Sequence, residues 1–341
     1  MKVDGQAVLE GLGTGFGGRV EIMRAYREAL EGSAAVHFGG NLINCMSCSN
    51  DMLFQTLASN LTRTSTDFWP NDPASHGLHL YTNAQVSLFW GEFVLPDWDM
   101  FQSSHSAGAF HAAGRAVGGC PVYVSDKPGA HDFELLRKLT LPDGTTLRAL
   151  DPGRPTRDCL FHDPTREDVL LKIFNNNPAS AVVGVFNAHP RMGEGEERVT
   201  EGMVSPADIS GQAGDKHAVW SHAGGELRVL RHHESWPVSL PPLGFEIFTI
   251  APIVDGLAPV GLVDYFNSGG AVRGRRRLPE GWTEIEAVAG GRFVVWCAFE
   301  PVSILEDGHP AAFKFDAGTG QLTLLLEGTG PRRLAIHLAV Q

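Results

Sequence analysis

Residues 1–10 read Met1-Lys2-Val3-Asp4-Gly5-Gln6-Ala7-Val8-Leu9-Glu10, and the first four decide how the rest is read. Lys2-Val3-Asp4 has the pattern of the end of a buried strand that delivers a carboxylate to a loop. In α/β proteins, chemistry gathers at strand ends of that kind. The pattern recurs along the first half of the chain. Cys45, Asp67, Asp97 with Asp99, and Asp126 each follow a strand candidate at its C-terminal end.

Helical patterns separate these ends. Ile22 to Leu30 repeats apolar residues at helical spacing, with Glu31-Gly32 as its expected stop. Leu53, Leu57 and Leu61 mark a second helix, Pro73 to Ala84 a third, Ala107 to Val117 a fourth and Phe133 to Leu139 a fifth. Ser87 to Leu95, SLFWGEFVL, reads as a strand running into Pro96-Asp97-Trp98-Asp99, and Pro121 to Val124 as another. Repeated strand-then-helix units point to a parallel sheet with crossover helices. A (β/α)8 barrel would converge all these ends on one rim. An open doubly wound sheet is the competitor, but it calls for a glycine-rich phosphate turn after an early strand. The glycines from Gly11 to Gly18 follow no complete strand and read as a loop.

From about Asp168 onward the texture changes to short strand candidates parted by glycine, proline and polar turns. Val169–Phe174, Ala181–Phe186, His217–Trp220, Leu227–Leu230, Phe245–Ile250, Phe293–Phe299 and Leu322–Leu326 are the clearest. That texture predicts an antiparallel β domain. The expected division is residues 1–160 for the α/β part and 161–341 for the β part.

Composition excludes several classes. Of 341 residues, 43% are hydrophobic and 19% charged, which suits a globular protein with a substantial core. A net charge of −12 leaves no basic surface to neutralise phosphates, so nucleic acid is not an expected partner. The one basic cluster, Arg273 to Arg277, reads as a solvated loop. No run approaches the ~20 apolar residues of a membrane span. Five widely spaced cysteines predict reduced thiols, and Cys45-Met-Ser-Cys48 lacks the second C-x-x-C of a structural zinc site. Neither metal nor cofactor is expected. A cytoplasmic location is the expectation, since no secretory signal is visible.

Several long strings are distinctive. They are Arg63 to His76 (RTSTDFWPNDPASH), Leu88 to Gly108 (LFWGEFVLPDWDMFQSSHSAG) and Ala113 to Gly144. With LLKIFNNN, VSPADISG and GLVDYFNSGGAV further on, the chain resembles the raffinose synthase and seed imbibition protein family. That family belongs with the alkaline α-galactosidases in glycoside hydrolase family thirty-six. The resemblance implies a retaining enzyme that moves galactose from galactinol to sucrose, or that hydrolyses α-galactosides. An inactive remnant is the third possibility.

The resemblance also implies roles. Lys2-Val3-Asp4-Gly5 is similar to the K-x-D-G closing the fourth barrel strand in the wider clan. Asp4 would then be the nucleophile, and Lys2 would bond galactose hydroxyls. Arg63 followed by Asp67 resembles R-x-x-x-D, which makes Asp67 the acid/base. Relatives usually read S-D-D where this chain has Ser65-Thr66-Asp67, so one acid of the pair is absent. Cys45 falls where relatives contact the sugar. Asp97 and Asp99 would bind hydroxyls, Trp98 a sugar face, and Asp126 either a sugar or a helix end. If Asp4 closes strand four, strands four to eight are present, giving an incomplete (β/α)8 TIM barrel and a chain that is a fragment.

Overall fold

The protein is described by a computed structural model covering residues 1–190, 198–211 and 214–338. Its first half builds a parallel sheet. Lys2–Val3 (β1), Ile43–Asn44 (β2), Leu61–Arg63 (β3) and Leu95–Asp97 (β4) lie side by side in chain order. Val3 is in register with Asn44, Asn44 with Thr62, and Arg63 with Asp97. Asp4, Cys45 and Asp97 therefore leave the same edge of the sheet, with Arg63 directly beside Asp97.

Helices cross between the strands: Arg19–Phe38 (α1), Asn50–Phe54 (α2) and Ser75–Trp90 (α3), followed by Gly108–Gly118 (α4) and Phe133–Leu136 (α5). α1 runs past the expected stop at Gly32 because Gly32 lies on its exposed side, and it ends at Gly39, whose φ of 59° closes the helix. Its buried stripe, Met23, Arg27, Glu31 and Ala34, includes an ion pair.

Three expectations need correction. Ser87–Trp90 is the last turn of α3, not a strand, and only Leu95–Asp97 pairs in the sheet. The buried stripe His76, His79, Leu80, Asn83, Ala84 and Ser87 keeps helical spacing, but four of these six are polar, so hydrophobicity alone does not carry the helix expected from Pro73 to Ala84 on to Trp90. Leu61 belongs to β3, which ends the second helix at Phe54. The strand expected at Pro121–Val124 reduces to one parallel bridge between Phe101 and Val124.

The second half is antiparallel. Arg154–Pro155 (β5), Leu171–Asn176 (β6), Ala181–Phe186 (β7), Thr200–Val204 (β8), Lys216–Ser221 (β9), Glu226–Arg231 (β10), Trp236–Leu240 (β11) and Phe245–Pro252 (β12) come first. Among the described residues they form a sheet ordered β10-β9-β12-β7-β6-β5, with β8 and β11 as a separate pair. β7 is buried along its whole length. Val182 and Phe186 join the core that contains Leu80, Trp98, Phe110 and Val117, while Ala181, Val183 and Val185 join Trp236 and Phe248 on the other face. One hydrophobic core thus connects the helices to this sheet, as expected for a strand covered on both sides. Gly77 of α3 approaches so closely that a Cβ there would lie 1.8 Å from the Ala188 carbonyl oxygen.

Leu257–Leu262 (β13), Val272–Arg277 (β14), Trp282–Ala287 (β15), Gly291–Cys297 (β16), Ser303–Glu306 (β17), His309–Pro310 (β18), Phe313–Asp316 (β19), Gln321–Leu326 (β20) and Arg332–His337 (β21) complete the chain. They make two further sheets, β13-β16-β20-β19 and β14-β15-β21-β17-β18, around a core that includes Phe293, Leu322, Ile285 and Leu334. The basic cluster Arg273–Arg277 is strand β14, not a loop, and its arginines meet Glu286, Glu284 and Asp255. No described helix is long and apolar enough to cross a membrane.

Candidate active site

The loops after β1, β2 and β3 surround a cleft of about 620 Å³. Asp4, Cys45, Arg63 and Asp67 line it, together with Met46, Cys48, Thr64, Ser65, Thr66 and Trp69. Thr82, Val86 and Trp90, four residues apart on α3, supply another wall. Four residues singled out in the sequence thus meet in one cavity, although they span more than sixty positions.

Arg63 organises the centre. It is buried, and its Nη1 donates to Asp67 Oδ1 at 3.0 Å and its Nε to Asp97 Oδ2 at 3.3 Å. Its Nη2 contacts Asp99 Oδ1. Burial alone would lower the guanidinium pKa, but Asp99 and Asp97 outweigh it and hold the group above its ordinary value. Arg63 therefore keeps its charge, and Asp67, with its side chain 66% exposed, is drawn to the cleft side of it.

Asp97 and Asp99 are fully buried and already partnered. Tyr123 Oη donates to Asp97 Oδ1 at 3.0 Å and Oδ2 at 2.9 Å, the Asp99 amide donates to Asp97 Oδ1, and the Phe68 amide donates to Asp99 Oδ2. Burial, then the adjacent Asp97, pushes the Tyr123 phenol well above its usual range, so it remains a donor. Neither carboxylate lines the cleft. Their place is behind Arg63, not against a sugar hydroxyl.

Trp98 also departs from expectation. It has no exposed surface and packs in the main core, so its indole offers no face to a sugar. Successive side chains of an extended segment face opposite ways, so Trp98 points inward while Asp97 and Asp99, the latter at φ 64°, face Arg63. Asp126 takes the Ser103 amide on Oδ1 at 2.7 Å and the Ser103 hydroxyl on Oδ2 at 2.6 Å. It ties down the loop before α4 and does not line the cleft. Lys2 is exposed and close enough to Cys45 to oppose the rise that burial imposes on that thiol, a rise to which Asp4 adds.

Asp4 itself is exposed, and its Oδ1 accepts the Gly5 amide at 3.0 Å. Among the described residues no group of three or more His, Cys, Asp or Glu is placed to hold a metal.

Residues 1–326 match the family described as raffinose synthase or seed imbibition protein Sip1. The chain belongs to that family. Probable galactinol–sucrose galactosyltransferase 6 of Arabidopsis thaliana is 42% identical over 99% of this chain and 49% of its own length. A galactinol–sucrose galactosyltransferase of Oryza sativa is 39% identical over 93% of this chain and 45% of its own. The chain spans about half the length of the curated relatives it matches. Among solved structures, a GH27 β-L-arabinopyranosidase from Geobacillus stearothermophilus is similar with a TM-score of 0.49 and 14% identity, over 74% of this chain and 57% of that one.

For a raffinose synthase family chain, the sequence reading missed two kinds of residue. Tyr123 and Ser103 hold the carboxylates in place, and neither carries a charge that would single it out. Trp69, 56% exposed, and Trp90 line the cleft but read as ordinary apolar positions. Helical spacing does place Thr82, Val86 and Trp90 on one face of α3, and that signal was available.

Proposed function

We propose that this chain carries the catalytic carboxylates of a retaining α-galactosyl enzyme, and that it transfers galactose from galactinol to sucrose. The observation that carries the reading is the meeting of Asp4 and Asp67 on one cleft, with buried Arg63 bonded to Asp67. Family membership supplies the substrate class. Asp4 attacks the anomeric carbon while the glycosidic C–O bond breaks and Asp67 gives its proton to the leaving oxygen. In the second step Asp67 takes the proton of the acceptor hydroxyl, which attacks the same carbon and releases Asp4. Retention calls for carboxyl groups ~5–5.5 Å apart in the ligand-bound site.

In this reading Lys2 and Cys45 contact the sugar. Asp97, Asp99 and Asp126 support it indirectly through Arg63 and the loop before α4. In the same reading the four-stranded parallel sheet and the Phe101–Val124 bridge stand for strands four to eight of a (β/α)8 barrel, residues 1–160, and residues 161–341 for its C-terminal β domain.

Incubation with galactinol, with and without sucrose, tests the proposal. Raffinose formed only with sucrose supports transfer. Free galactose alone supports hydrolysis, a second reading favoured by the solvent access of Asp67. Absence of both products from a folded chain overturns the proposal.

A further inference from the structure

Beneath Asp4, between α1 and the parallel sheet, lies a polar cluster that galactosyl chemistry does not use. Gln6, Arg27, Asn44, Ser59 and Glu31 are all buried. Arg27 Nη1 donates to Gln6 Oε1 at 3.1 Å and Asn44 Oδ1 at 2.7 Å, and Nη2 donates to Glu31 Oε1 at 2.6 Å and Ser59 Oγ at 2.8 Å. Glu31 also accepts the amides of Ala58 and Ser59, each at 3.0 Å, which fixes the chain just before β3.

A buried ion pair of this kind is poor glue. Apolar side chains of similar volume would pack α1 on the sheet as well or better. What the cluster supplies is direction. Arg27 has only donors, so the Gln6 oxygen must face it and the Gln6 Nε2 must face the other way. There it donates to the Val3 carbonyl at 2.9 Å and to Asn44 Oδ1 at 3.1 Å.

Val3 immediately precedes Asp4, and its carbonyl also accepts the Cys45 amide at 2.9 Å. The turn beyond is closed as well. Gly5 takes φ 69°, a conformation that favours glycine, and the Ala7 amide donates to the Met46 carbonyl at 2.7 Å. Asp4 is thus the exposed tip of a turn whose base is hydrogen-bonded on the side away from solvent.

We infer that Gln6, oriented by Arg27, is a positioning residue for Asp4, holding the Val3–Gly5 backbone so that the carboxylate stays aimed into the cleft. This rests on the reading of Asp4 as nucleophile. Positioning matters for such a group because a displacement near 1 Å costs on the order of 10²-fold in rate.

The full chain is treated with an α-galactosyl-configured cyclophellitol. The nucleophilic carboxylate opens the epoxide, forming an ester as the C–O bond breaks and the oxygen takes a proton. Peptide mapping identifies the residue labelled. Gln6→Met keeps the volume and removes the donor; Gln6→Glu keeps the Arg27 contact and, ionised, also cannot donate. In either variant the limiting rate of labelling at Asp4 is expected to fall by roughly 10²-fold, with the half-saturating probe concentration unchanged. Hydrogen exchange at the Cys45 and Ala7 amides should accelerate together with that loss. A merely structural role would not divide rate from affinity in this way. Unchanged labelling and exchange in a folded variant overturns the inference. If the unaltered chain is not labelled at Asp4, the nucleophile reading fails, and the exchange measurement alone then decides whether Gln6 fixes this turn.

Discussion

Arg63 Nη1 lies 3.0 Å from Asp67 Oδ1, and the rest of the guanidinium is buried against Asp97 and Asp99. A single cation thus joins the exposed acid of the cleft to two buried ones. The arrangement fixes the loop after β3 relative to the end of β4, which is how a short parallel sheet can hold a carboxylate on a loop.

Arg63→Met should therefore be strongly destabilising. It strands Asp97 and Asp99 without a counter-charge, and removing one partner of a buried ion pair typically costs ~3–5 kcal/mol. Arg63→Lys keeps the charge, but a single ammonium cannot serve three carboxylates, so an intermediate loss is expected. Urea unfolding of the three proteins checks this. A Met variant as stable as the parent would show that the carboxylates do not depend on Arg63.

A second set of buried groups makes stability depend on pH. Arg115 Nη1 donates to His111 Nδ1 at 2.9 Å, which leaves His111 Nε2 to donate to His76 Nδ1 at 2.8 Å. Burial, and then Arg115, holds His79 down at about 3; burial, and then His105, holds His76 at about 4. Unfolded histidine titrates near ~6.5. The unfolded chain therefore binds more protons below that value, and the stability these groups supply is full above it. It should be lost as pH falls toward 4 and then 3, by about 1.4 kcal/mol per pH unit for each histidine. Urea midpoints at about pH 7 and about pH 5 measure the slope, and His79→Gln should flatten it by one histidine's share. Equal midpoints for the unaltered protein would contradict the buried neutral cluster.

The same residues show what sequence could and could not reveal. β7 was legible to the residue because its six-residue, valine-rich apolar run between polar turns is too short for a helix and fits a covered strand. The body of α3 is legible as a helix from Pro73 to Ala84, but its last turn is not, because it buries His76, His79, Asn83 and Ser87 where an apolar stripe would normally lie and the aromatic run after Ala84 reads as a strand. Of the residues read at strand ends, Asp4, Cys45 and Asp67 share the cleft with Arg63, whereas Asp97, Asp99 and Asp126 do not line it. Trp98 could not be placed from sequence. It faces away from Asp97 and Asp99, so its burial follows from those two carboxylates turning to Arg63.

The cysteines give an independent check on the cleft. Cys48 is exposed and lines it, while Cys45, Cys120, Cys159 and Cys297 are buried. Burial pushes the Cys120 and Cys297 thiols up to about 12 and raises those of Cys45 and Cys159. A thiol reagent should therefore modify Cys48 alone in the folded protein and all five after denaturation. Galactose or a galactoside should slow the Cys48 reaction. Rapid reaction of several thiols in the folded state would contradict the burial of Cys45 at the end of β2 and of Cys120, Cys159 and Cys297.

The two carboxylates of the proposed mechanism can be told apart by the stereochemistry of rescue. Asp67→Ala loses the proton donor, so turnover of galactinol should fall by ~10²–10⁴-fold. An aryl galactoside with a good leaving group needs little acid help and should still load Asp4, giving a β-linked covalent intermediate. Azide, which needs no general base, then attacks that intermediate with inversion and yields an α-galactosyl azide. Asp4→Ala loses the nucleophile and should be inactive with every donor when no azide is present. Azide can fill the space left by the Asp4 carboxylate and attack the α-galactoside directly, which gives the β anomer. Proton NMR of the azide product distinguishes the two. An α product from Asp67→Ala and a β product from Asp4→Ala would support both roles at once. Undiminished galactinol turnover by Asp67→Ala would remove Asp67 from the mechanism. Because Asp97 and Asp99 are buried behind Arg63, no other acid on the cleft except Asp4 itself could take its place among the described residues.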